Sequence, residues 1–155
     1  MADLSNWKQI EAAVLSAVNK AADTVGEVGE QQLKNSIDDI VYKHPVHPYE
    51  YERTYELRES VEYDSLPISK GIQVEIYHNL HQIYPHDAPE NSKWGQHQSF
   101  DGEDVSIYIP EWTVGGHGGA YTMPPRDYFT DAEEKLKNGL IEKAIKEGLR
   151  KNGLG

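Results

Sequence analysis

The seven histidines are the residues of this sequence best suited to chemistry, because neutral imidazole ligates transition metals and titrates near neutral pH. Their nearest grouping is His78, His81 and His86, followed by Asp87 and His97. The spacing does not assemble a site. His78 and His81 stand three apart at the end of an alternating stretch, where no helical face aligns them, and no His-Glu-x-x-His signature occurs. Exposed loop histidines are therefore expected, with no metal. The run Gly115-Gly-His-Gly-Gly119 lacks both the Gly-Lys-Ser/Thr ending of a P-loop and the glycine spacing of a dinucleotide fold. It reads as a mobile connector or a close backbone approach. There is no Gly-x-Ser-x-Gly elbow, and with no cysteine there is no thiolate nucleophile, disulfide, iron-sulfur cluster or thiolate zinc site. Asp38-Asp39 falls on a helix surface and reads as a solvated face. No catalytic centre and no cofactor are expected.

The elements around these residues follow from apolar spacing. Trp7, Ile10, Ala13, Val14, Ala17, Val18 and Ala21 recur at helical intervals, and the pattern resumes after Gly26 and Gly29 through Leu33, Ile37, Ile40 and Val41. One long helix is expected from Ser5 to about Val41, weakened or bent at the glycines and stopped by Pro45 and Pro48. Residues 57–66 partly alternate, and Ile72, Val74 and Ile76 alternate fully with Gln73, Glu75 and Tyr77, which predicts a hairpin joined near Pro67 to Gly71. From His81 to Glu103 only Ile83, Trp94 and Phe100 offer large apolar anchors, so a mobile loop is expected there. Residues 104–114 fit helix or strand equally. After Pro124-Pro125, a stripe of Phe129, Ala132, Leu136, Leu140, Ala144 and Leu149 predicts a terminal helix ended by Asn152-Gly153. The fold class is α+β: a long N-terminal helix and a C-terminal helix packed on a small, mainly antiparallel sheet.

At 155 residues the chain suits a single domain spanning 1–155. Leu, Ile, Val and Phe number 33, about a fifth of the chain and close to the ~20% below which disorder is expected, so the core is lean. Part of the first helix, around Leu33, Ile37 and Val41, is accordingly expected at a subunit boundary. The formal net charge of -11 is unevenly spread: residues 1–124 carry 20 acids and 8 bases, residues 125–155 carry 6 and 7. That balance disfavours tight nucleic-acid binding. No run is long and apolar enough for a membrane span, and Met1 to Asn6 has neither the basic nor the apolar part of a signal peptide. A protein without membrane association, not exported by that route, is expected.

Two segments mix aromatics with charge. Tyr49, Tyr51, Arg53 and Leu57 lie in Pro48-Tyr-Glu-Tyr-Glu-Arg-Thr-Tyr-Glu-Leu-Arg-Glu-Ser60, and Arg126, Tyr128 and Phe129 lie in Pro124-Pro-Arg-Asp-Tyr-Phe129. Tyr and Arg at this density suit an interface, either between subunits or between the two segments. Arg126 is expected to anchor their joint by pairing with Glu50 or Glu52. The passages Pro48 to Val61 and Gly116 to Ala132, the latter containing Pro-Arg-Asp-Tyr-Phe-x-x-Ala, resemble the small tail-component proteins encoded among the head-tail joining genes of tailed bacteriophages. That resemblance implies a structural neck or tail-completion subunit in the virion, made and assembled in the host bacterial cytoplasm. It also implies a homo-oligomeric ring with other neck, portal-side or tail proteins as partners, through which genomic DNA passes without sequence-specific binding. A metal-dependent hydrolase or nuclease using the loop histidines is the alternative, and an acidic protein-binding adaptor is a third reading.

Overall fold

The computed structural model describes residues 7–43, 55–69, 71–86, 103–116 and 124–154. Helix α1 spans Trp7–Ile37 and closes in a wider π turn over Asp38–Tyr42. A single helical turn, α2, covers Glu56–Glu59, and the strands β1 (Val61–Ile68) and β2 (Gly71–His78) form a two-stranded antiparallel sheet. Among the described residues three α-helices follow: α3 (Ile109–Gly115), α4 (Tyr128–Lys135) and α5 (Ile141–Lys151). The α+β class is as the sequence predicts.

The chain forms two compact units, Met1–Gln31 with Tyr63–Ile76 and Glu134–Gly155, and Gln32–Glu62 with Tyr77–Glu133. In the first, Ala17, Ala21, Ala22 and Ala144 are buried, so the packing relies on small side chains. The glycines expected to bend α1 do something else. A Cβ on Gly26 would lie 2.1 Å from the Tyr63 ring, and one on Gly29 would lie 2.2 Å from Ile76 Cδ1. Each glycine thus admits a hairpin side chain against the helix backbone, and the helix continues through both. Gly148 does the same for α5, since its Cβ would stand 2.6 Å from Ala21 Cα.

The expected terminal helix is broken. Asn138 and Gly139 leave helical geometry between α4 and α5, with Gly139 at φ +97, a left-handed conformation that glycine adopts without a Cβ clash. Gly153, at φ +82, ends α5 as expected: its N–H donates to Arg150 O and that of Leu154 to Leu149 O, the paired bonds of a Schellman cap.

In the second unit Leu33, Ile37 and Val41 are buried together with Leu57, Val61, Ile83, Tyr128 and Ala132. This corrects the expectation that they face another subunit: the chain covers its own C-terminal end of α1. The alternation expected from Leu57 begins only at Val61, because Glu56–Glu59 first closes the α2 turn. Residues 104–114 prove helical, as a 3-10 turn over Ser106–Tyr108 running into α3, where Pro110 sits in the first turn and removes no needed donor. Of the segment 81–103, residues 81–86 and 103 are described, and Ile83 is 3% exposed.

Candidate functional site

The strict alternation of β2 carries Ile72, Val74, Ile76 and then His78 on one half-buried face. His78 is therefore delivered inward by strand register, not exposed on a loop as the sequence reading expects. Its Nδ1 lies 2.8 Å from Ser60 Oγ, and its Nε2 lies 2.9 Å from the Tyr128 hydroxyl. Both partners are fully buried. Ser60 Oγ also donates to Leu57 O at 3.0 Å, which leaves it to accept from His78 Nδ1–H. Nε2 must then accept from Tyr128. One directed chain results: the tyrosine donates to histidine, histidine to serine, and serine to a backbone carbonyl.

Electrostatics keep the ring neutral, as this chain of bonds requires. Burial pushes His78 down from 6.5 to about 4, against a smaller opposing effect of the Leu57 carbonyl, so the ring is neutral at pH 7. Burial raises the Tyr128 phenol above its ordinary value, with the Tyr42 and Asp127 charges adding to it. The chain ends on a carbonyl that takes no proton, and Ser60 has no solvent contact. Its chemical consequence is a clamp rather than an activated serine. It ties α2, the end of β2 and the start of α4 together.

Further polar contacts surround the clamp. Arg58 Nε donates to Asp38 Oδ2 at 2.9 Å and its Nη1 to Glu59, and its guanidinium pKa is raised chiefly by the Asp38 bond. Asp38, expected in solvent, thus secures α2 to the end of α1. Glu56 meets His86 Nε2 at 2.8 Å and accepts from Tyr84 N at 3.2 Å. Glu62 accepts from Asn79 Nδ2 at 3.1 Å and from Gln82. Tyr55, the residue before α2, takes φ +61, rare for a non-glycine, and its ring packs edge-on against Tyr42 at 4.8 Å.

Among the candidates read from sequence, Leu57, Tyr128 and Phe129 converge on His78. Leu57 is buried and Phe129 is 39% exposed, its ring 4.8 Å from that of Tyr128 and 5.7 Å from His78. Arg126 is half-buried and its backbone N–H donates to Thr113 O at 2.9 Å, joining α3 to the entry of α4. Asp127 caps that helix through the Thr130 N–H and hydroxyl, which hold its carboxyl below the usual range. Tyr49, Tyr51 and Arg53, with the expected partners Glu50 and Glu52, lie outside the described residues. Ser60, Arg58 and Glu56 were missed as site residues. Beside Phe129, an open hollow of about 320 Å³ is lined by His78, Pro110, Glu111, Val114 and Gly115.

Among the described residues no three His, Asp or Glu side chains are grouped to hold a metal ion, and no helix is long and apolar enough to cross a membrane. A small α+β protein organised by a buried polar clamp is the class that fold and site define. The chain belongs to the YomN family, which matches residues 6–151, a family name typical of Bacillus phage-derived proteins that associates it with phage. No curated protein and no solved structure matches it.

Proposed function

We propose that this phage-associated chain is a non-enzymatic structural subunit of the neck, joining head to tail as part of a ring around the DNA channel. The observation that carries this reading is the union of two passages that resemble head-tail joining proteins. Leu57 and Ser60 from one, Tyr128 and Phe129 from the other, are drawn together by His78. Residues of the motif thus serve architecture, as a load-transmitting subunit requires. The net charge of -11 supports the same role, because an acidic wall repels phosphate and lets a duplex pass where a basic wall would retain it. The hydrolase alternative loses its first histidine, since both ring nitrogens of His78 are already engaged.

The test is deletion of the gene from its phage. Filled heads and finished tails should accumulate unjoined, and added protein should join them. Normal joined virions from the deletion, or one copy per particle by quantitative mass spectrometry, would overturn the neck and the ring respectively.

A further inference from the structure

The apolar stripe of α1 outruns its cover. From Ala17 onward the stripe is buried at Ala17 and Ala21, and α5 lies against Ala21 through Gly148. Earlier on the same helix every residue from Trp7 to Ser16 is exposed. Trp7, Ile10, Val14 and Val18 continue the stripe at helical spacing, with Leu15 at its margin; Trp7 is 62% and Leu15 56% exposed. At this end of α1 large apolar side chains are thus in water, while the buried positions that follow on the stripe are alanines. In a chain with so few large apolar residues this placement demands a partner.

Charge selects the partner. Residues 7–20 contain Lys8, Lys20 and Glu11, a net of +1, while the rest of the chain sums to -12. This is therefore a surface on which two copies of an acidic protein can meet without the repulsion that opposes contact elsewhere. The five side chains leave on the order of 500 Å² uncovered, so two copies would bury about 1,000 Å², the lower edge of specific interfaces. We propose that the first three turns of α1 are a self-association surface, covered by the same helix of a second copy. A contact of one helix with its own copy closes on two subunits, so within the homo-oligomer proposed above it pairs subunits while the ring itself needs a second, heterologous contact; the pairing stands whether or not the neck is where that oligomer works.

Sedimentation of the full chain at rising concentration tests it. The wild type should associate with itself, and the double variant Trp7→Ser, Leu15→Ser should weaken association tenfold or more, while Lys143→Ser, at an exposed position of α5, should leave it unchanged. Both positions are exposed, so circular dichroism should show all three proteins equally folded. A wild type that stays monomeric across concentration and salt, or association that the double variant leaves intact, would overturn the surface. A self-associating protein whose deletion leaves virions joined would instead remove only the neck.

Discussion

Lowering the pH should weaken this protein through His78 in a way that substitution can isolate. The ring has a folded-state pKa of about 4 against 6.5 when unfolded, because burial penalises the imidazolium. A depressed histidine pKa means the unfolded chain binds the proton more readily. Its stabilising effect is complete above pH 6.5, falls as pH drops from 6.5 towards 4, and is fully lost below that. At about 1.4 kcal/mol for each pH unit, the loss totals roughly 3 kcal/mol. Its structural meaning is definite. A protonated Nε2 cannot accept from the Tyr128 hydroxyl, and among the described residues the partners at the two ring nitrogens are hydroxyls, which carry no charge to compensate.

Urea unfolding of wild type and His78→Gln at pH 7.5 and 4.5 measures this, because carboxylate titrations common to both proteins cancel in the difference. At pH 7.5 the variant should be less stable by about 1–3 kcal/mol, the cost of losing buried hydrogen bonds. At pH 4.5 the gap should close or reverse. The His78 ring resonance should titrate near pH 4 by NMR. A gap independent of pH, or a midpoint near 6.5, would refute the buried neutral tautomer and the directed chain built on it.

Tyr128→Phe removes the donor to His78 Nε2 and should cost about 1–3 kcal/mol by urea unfolding, with the His78 midpoint rising as water replaces the phenol. Gly148→Ala should lower the melting temperature, since the new Cβ meets the Ala21 backbone at 2.6 Å and overpacking costs about 1–3 kcal/mol against about 1 kcal/mol gained in helix propensity. Gly29→Ala should stay within about 1 kcal/mol of wild type, because its Cβ meets only the rotatable tip of Ile76. Arg126→Ala should cost about 1–3 kcal/mol in folding or assembly and Arg126→Lys recover only part, measured by melting and by particle yield.

Much of this fold is legible in the sequence wherever a period governs. The 3.6-residue stripe places α1 and the two-residue alternation places β2, including the inward register of His78, a signal present in Ile72, Val74 and Ile76 but set aside in favour of loop chemistry. What escapes is interaction at a distance. Nothing local marks Ser60 or Tyr128 as partners of one histidine, since they are 18 and 50 residues from it. Gly26 and Gly29 look like helix breakers until Tyr63 and Ile76 occupy the space they leave. Asn138-Gly139 is the reverse case: a common turn dipeptide hidden beneath a stripe whose apolar positions continue on both sides.

The same distribution of residue size joins the interior to the proposed assembly. Helices packed through Ala17, Ala21, Ala144 and Gly148 bury little area per residue, so the first unit gains modest stability from its own core. Its exposed large apolar side chains, Trp7, Ile10, Val14 and Leu15, contribute only when another surface covers them. A subunit so arranged gains stability on assembly, and the acidic remainder opposes contact elsewhere until salt screens it. High salt should therefore raise both self-association and melting temperature in the wild type by screening the acidic surface. In Trp7→Ser, Leu15→Ser the coupling should break, leaving the melting temperature independent of protein concentration; a wild-type melting temperature equally independent of concentration would sever the link between lean core and assembly.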